Sequence, residues 1–213
     1  MPVPAPVLTA SGRGRVAALT FDDGPNGAAT TVLLDLLREH RVRATFCVVG
    51  QQVGAPGGAE VLRRTVDDGH LLAAHAMSYA DLGAWPQGRV EQDLLSTVSV
   101  IRDALGDQTA AVPWFRAPNG SWGCSARVAA ELGLQPLGVT GTIDDWRTQD
   151  VSTLVANLRR AIRPGGLVLA HDGGGDRWGT VQAMRTVLPE WLADGWDFTR
   201  PAHPDLDRQQ KSP

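Results

Sequence analysis

Leu19-Thr20-Phe21-Asp22-Asp23-Gly24-Pro25 ends an apolar run, Val16 to Phe21, in two adjacent carboxylates and a Gly-Pro turn. A short apolar run that stops at polar residues and a turn reads as a buried strand meeting its loop. The arrangement recurs along the chain: one apolar run reaches His75, another reaches Arg116, a third reaches Asp145, and Leu167 to Ala170 reaches His171. In a barrel of parallel strands the C-terminal ends share one face, where barrel enzymes place their chemistry. Carboxylates, imidazoles and one guanidinium are therefore expected to meet in a single cleft.

Outward from this stretch, strand-like and helix-like segments alternate, which predicts an α/β fold with a mostly parallel sheet. Strands are expected over 15–21, 43–49, 71–74, 113–115, 135–140, 166–170 and 197–199, and helices over 29–40, 59–68, 90–105, 124–132, 151–162 and 179–193. In the first helix Val32, Leu33, Leu36 and Leu37 recur at helical spacing, and in the last Val181, Met184, Val187, Leu188 and Leu192 do so. About seven strands in 213 residues is short of a complete eight-fold barrel, typically about 250 residues. The fold expected is a single distorted, incomplete (β/α) barrel over 13–202, with a loose N-terminal segment, 1–12, and a C-terminal tail, 203–213.

The composition, 43% hydrophobic and 20% charged, is that of a globular domain with a sizeable core. A net charge of -3 without a dense Lys/Arg run speaks against nucleic acid as a partner. No segment is apolar enough to span a bilayer. Met1 to Ala10, with Pro at 2, 4 and 6, lacks the basic and apolar regions of a signal peptide. The expectation is a cytoplasmic protein, or a secreted one if a leader was trimmed. Cys47 and Cys124 lack metal-type spacing, and Cys47, inside an apolar run, reads as a small core residue.

Five ordered motifs give the chain a family likeness: Thr20-Phe21-Asp22-Asp23-Gly24-Pro25; Gly69-His70 through His75 to Asp81-Leu82; Phe115-Arg116-Ala117-Pro118-Asn119-Gly120; Asp145-Trp146; and Leu167-Val168-Leu169-Ala170-His171-Asp172. The chain resembles the polysaccharide deacetylases, metal-dependent carbohydrate esterases that include chitin and peptidoglycan deacetylases, from about Ala17 to Phe198. The resemblance implies hydrolysis of N-acetyl groups on an amino-sugar-containing carbohydrate or glycoside. It makes Asp22 the general base, Asp23 and His75 metal ligands, and Arg116 the partner of Asp22. His171 becomes the general acid with Asp145 behind it, the Asn119 N–H an oxyanion donor, and Trp146 and Leu169 walls of the acetyl pocket. The implied cofactor is a divalent metal, zinc first, with cobalt or nickel as alternatives. Each role has a physical basis: metal acidifies water, a paired Arg keeps a carboxylate ionised, and a carboxylate-held imidazolium can protonate a departing amine.

Other residues have plainer readings. Asp-Asp-Gly-Pro taken alone is equally a turn, His70 is structural or solvent-facing, His40 a solvated helix end, His203 part of the tail, and Trp114 and Trp122 core. The departures from the family concern the metal and the substrate. Where the family has a second histidine four residues after the first, so that one helical turn presents both, this chain has Tyr79, its only tyrosine. A phenol of pKa about 10 is a poor zinc ligand unless the metal draws off its proton. Asn119 replaces a common aromatic, and Thr140 and Thr142 stand where acidic residues are common, which favours a small N-acetylated sugar over a long regular polymer. Two alternatives follow: a carbohydrate-binding protein that has lost its metal, or a small-molecule amide hydrolase of secondary metabolism. A glycosidase is disfavoured, since its two carboxylates must flank a scissile bond.

Overall fold

The computed structural model describes residues 5–209. Strands and helices alternate in the order β1 (Val16–Asp22), α1 (Gly27–Glu39), β2 (Thr45–Val48), α2 (Gly50–Val53), α3 (Gly58–Asp67), β3 (Leu71–Ala74), α4 (Gln87–Leu105) and β4 (Trp114–Phe115). They continue with α5 (Ser125–Glu131), β5 (Gln135–Pro136), β6 (Gly141–Thr142), α6 (Val151–Ala161), β7 (Gly166–His171), α7 (Trp178–Ala193), β8 (Asp197–Phe198) and α8 (Pro204–Gln209). The strands form one parallel sheet in the order β5-β4-β3-β2-β1-β7-β6, with β8 also on β1. This is the curled, incomplete (β/α) barrel expected from the sequence. No helix among the described residues is long and apolar enough to cross a membrane.

Strand alternation places the site. Successive side chains point to opposite faces of a strand. Ala17, Leu19 and Phe21 face the helices, in one core with Leu33, Leu37 and Val187. Ala18, Cys47, Ala73, Trp114, Leu137 and Leu167 face inward and form a second core inside the barrel. Extended by two or four residues, the inward parity gives Thr20 and Asp22 on β1, His75 after β3, Arg116 after β4, and Leu169 and His171 on β7. Five polar groups therefore crown the apolar plug. Asp23 has the outward parity, and a left-handed backbone, φ 77°, bends the strand end there. Gly24 follows for a steric reason: a Cβ there would collide with the buried carboxylate of Asp172.

The sequence expectation fails at residues 135–140 and at both ends of the chain. Of residues 135–140, expected as one strand, only Gln135–Pro136 are strand, as β5, and β6 starts beyond them at Gly141, because the Leu137 and Gly138 carbonyls turn to accept from Arg116 rather than joining the ladder. The ends expected to be loose are docked within the described residues. Val7 bridges Leu137 and Ala10 bridges Pro201. In the C-terminal segment, His203 is buried edge-on to Trp114, their ring centroids 5.7 Å apart, while Leu206 of α8 joins the inner core. Residues 1–4 and 210–213 lie outside the described residues. Both cysteines are free, Cys47 within the inner core.

His70 is buried rather than solvent-facing, and its Nδ1 accepts from the Ala44 N–H at 3.2 Å. Burial pushes its pKa down from 6.5 to about 4. An unfolded chain takes up this proton first, so stability falls as pH drops from about 6.5 to about 4 and levels off below. The expected loss is up to about 3 kcal/mol. Urea unfolding at pH 7 and pH 4.5 checks it: the decline should be smaller by that amount in His70→Gln, whose other titrating groups are unchanged.

Candidate active site

Arg116 organises the floor of the site. It is buried, and its Nη1 donates to Asp22 Oδ1 at 2.6 Å and to Thr20 Oγ1 at 2.9 Å, while Nη2 donates to Gly138 O at 2.9 Å. Burial pushes the Asp22 pKa up, but the charges of Arg116, His75 and His171 outweigh it and hold the carboxyl below its usual value. Asp22 is thus an ionised carboxylate with one oxygen anchored, 3% exposed in the barrel mouth.

His171 is the ladder partner of Asp22 on the neighbouring strand. Its Nδ1 lies 2.7 Å from Asp145 Oδ1, which makes Nδ1 the protonated nitrogen and turns Nε2 to the cleft. The other Asp145 oxygen accepts from the His171 backbone N–H at 2.8 Å and from Thr180 Oγ1 at 2.9 Å. Burial pushes the His171 pKa down, and the hydrogen bond and charge of Asp145 more than offset this, so the imidazolium persists above its ordinary 6.5. Trp146 meets the imidazole edge-on, with ring centroids 5.4 Å apart.

His75 and Asp23 face each other beside Asp22. His75 Nδ1 lies 2.9 Å from the Arg116 carbonyl, which can only accept, so the Nε2 lone pair is directed at Asp23 Oδ1, 3.4 Å away, and Asp22 Oδ2, 3.8 Å away. Burial pushes the His75 pKa down, yet the two carboxylates raise it above its ordinary value; the pocket favours positive charge at this point. An imidazole lone pair and carboxylates converging there fit a divalent cation. The protein shell is thin, since no set of three His, Cys, Asp or Glu among the described residues has metal-holding geometry. Tyr79 does not supply an anionic third donor. Its hydroxyl donates to the Asp23 backbone carbonyl at 3.2 Å, and its pKa is raised by burial and then by the Asp23 charge. The helical turn expected to align positions 75 and 79 is absent: these residues form a loop that bends at Ala76, φ 62°.

Asp22, Asp23, His75, Tyr79, Arg116, Asn119, Trp146, Leu169 and His171 line one cleft of about 1200 Å³, and Asp145 lies buried behind His171. Asn119 sits at φ 57° in a tight turn whose backbone bonds run from Gly120 N to Ala117 O and from Ser121 N to Pro118 O, outside its own N–H. Sequence reasoning missed Arg177, also on the cleft. Buried, it donates to the carbonyls of Gly173 at 2.7 Å and Asp145 at 3.1 Å, tying the loop after β7 to the loop that carries Asp145. Its neighbour Asp176 reads as an ordinary turn residue, so only the fold reveals the clamp.

Residues 9–137 match the sequence profile of the family described as polysaccharide deacetylase. The chain belongs to the polysaccharide deacetylase family. It is 38% identical over 197 residues to the chitooligosaccharide deacetylase of Bradyrhizobium sp. (strain ANU 289), covering 86% of this chain and 88% of that one. It is 29% identical over 187 residues to the peptidoglycan-N-acetylglucosamine deacetylase of Bacillus cereus, covering 86% and 85%. Among solved structures, a family 4 acetyl xylan esterase from Clostridium thermocellum in complex with a cobalt ion superposes with a TM-score of 0.77 at 29% identity, covering 86% of this chain and 87% of that one. The polysaccharide deacetylase profile takes in Asp22, Asp23, His75, Tyr79, Arg116 and Asn119. Asp145 and His171 lie beyond it.

Proposed function

We propose that this deacetylase-family chain hydrolyses N-acetyl groups on a short amino-sugar oligomer or glycoside, with Asp22 as general base and His171 as general acid. The observation that carries this reading is the pairing of Asp22 with Arg116 at 2.6 Å beside its ladder partner His171, itself paired with Asp145 at 2.7 Å. One group is held ionised and its neighbour held protonated, the division of labour amide hydrolysis needs. Asp22 takes a proton from water as the water oxygen attacks the acetyl carbon. His171 Nε2–H protonates the nitrogen as the C–N bond breaks, giving acetate and a free amine. The Asn119 N–H meets the charge that develops on the acyl oxygen.

His75 Nε2 and the Asp23 carboxylate would hold a divalent metal, zinc, cobalt or nickel, which acidifies water and polarises the acyl group. Trp146 and Leu169 wall the methyl pocket. A cleft of about 1200 Å³ exceeds the usual range for small ligands, roughly 300 to 1,000 Å³, and leaves room for more than one sugar ring. Acetate release from N-acetylglucosamine oligomers, with each metal supplied, tests the reading. The engagement of Tyr79 with the Asp23 backbone favours a second reading, carbohydrate binding without turnover; oligomer binding with no acetate released under any metal supports it.

Asp145→Asn tests the acid. Loss of the carboxylate charge lowers the His171 pKa, so the alkaline limb of the pH–rate profile moves to lower pH, with roughly tenfold loss of rate above neutrality. An alkaline limb that stays where it was detaches Asp145 from the acid.

A further inference from the structure

The barrel sheet stops at β5 on one side and β6 on the other, and the N-terminal segment lies along that opening. Val7 donates to Pro136 O at 2.8 Å and its carbonyl accepts from Gly138 N at 2.9 Å, and Ala10 donates to Gly165 O at 2.8 Å, just before β7. The peptide unit between Leu137 and Gly138 is therefore bonded at both ends. Its N–H donates to Val7, while its carbonyl accepts from Arg116 Nε at 3.4 Å. The next carbonyl, Gly138 O, accepts from Arg116 Nη2 at 2.9 Å. Hydrogen bonds in series polarise one another and stiffen the chain that carries them.

We infer that residues 5–10 are a working part of the site: their backbone positions Arg116, and through it Asp22, and the Leu8 side chain walls the substrate cleft. Leu8 is half exposed, yet it lines the same cleft as Asp22 and His171, with Pro6 beside it. It lies close over Gly138: a Cβ there would stand 2.6 Å from Leu8 Cδ2 and 3.3 Å from both Pro6 Cβ and Val7 O, so glycine lets the segment settle on the chain without a shift. The match to the family profile begins at residue 9, so Pro6, Val7 and Leu8 are features of this chain beyond the matched stretch. Val7 and Leu8 are positioning and wall residues rather than catalytic ones. Misplacing a catalytic pair by a fraction of an ångström suffices to lose about tenfold in rate.

The catalytic half of this inference rests on the deacetylase reading, and the test has arms that do not. In the intact chain the Gly138 amide is expected to exchange its hydrogen about a hundredfold more slowly than an open loop amide. Exchange at the open-loop rate overturns the inference, whether or not any truncated variant folds. Removing residues 1–8 is expected to abolish the slowly exchanging Arg116 guanidinium proton signals. It should also lower kcat for N-acetylglucosamine oligomers about tenfold with KM changed less than threefold. For Leu8→Ala the Arg116 signals persist and the loss falls on KM, about threefold. A folded truncated chain that keeps those signals and its kcat overturns the positioning role. Should the intact chain release no acetate, the deacetylase reading fails, and Gly138 exchange with the Arg116 signals still decides whether the segment holds the guanidinium.

Discussion

Asp22→Asn is expected to lower kcat for acetate release by at least about a thousandfold, roughly 4 kcal/mol of transition-state stabilisation. An amide cannot take the proton of the attacking water, yet it keeps nearly the shape of the carboxylate and can still accept from Arg116 Nη1. The fold should survive, with a lower unfolding midpoint, because the Arg116 guanidinium loses its buried counter-charge and keeps only neutral acceptors: the new amide oxygen, Thr20 Oγ1 and the carbonyls of Leu137 and Gly138. Metal should also be retained, since Asp23 and His75 are untouched, although removal of one nearby negative charge weakens it somewhat. Circular dichroism, metal content and acetate release on one preparation check all three. A folded variant that keeps more than a tenth of the wild-type rate removes Asp22 from the role of base.

Much of the barrel could be read from the sequence because one rule, strand alternation, fixes both the core and the residues beyond it. Ala18, Ala73, Trp114 and Leu167 are inward-facing and apolar, so the residues two or four positions later, Asp22, His75, Arg116 and His171, had to emerge on the same side. Asp23 obeys a different rule. It reaches the cleft only through a left-handed bend, φ 77°, at which the following Gly-Pro no more than hints. Contacts between segments distant in sequence carry no local signal. The clamp of Arg177 on Gly173 and Asp145 and the pairing of Val7 with Leu137 join segments about 30 or more residues apart, except where Arg177 meets its own loop. The break between β5 and β6 has the same origin: Leu137 and Gly138 satisfy a guanidinium from another strand, and no pattern within 135–140 announces that acceptor.

Tyr79→His is expected to tighten zinc about a hundredfold, roughly 2.7 kcal/mol, by adding a second imidazole to the shell proposed at His75 and Asp23. The family spacing alone does not guarantee this, since residues 75–79 form a loop here and no helical turn aligns the two positions. The direction of the side chain argues for it: the Tyr79 ring already points at Asp23, whose carbonyl its hydroxyl reaches at 3.2 Å. An imidazole at this position is a neutral donor at pH 7, where the phenol must first lose a proton. The substitution also removes a hydroxyl bonded to the Asp23 backbone, which loosens the bend and offsets part of the gain. Zinc titration by calorimetry, followed by retention through dialysis against a chelator, reads the affinity without reference to turnover. Wild-type and Tyr79→His chains that bind zinc equally would place residue 79 outside the shell and leave the metal to His75, Asp23 and water. If neither chain binds zinc, cobalt or nickel, the positive charge favoured beside His75 is a proton rather than a metal, and carbohydrate binding without turnover becomes the function of the cleft.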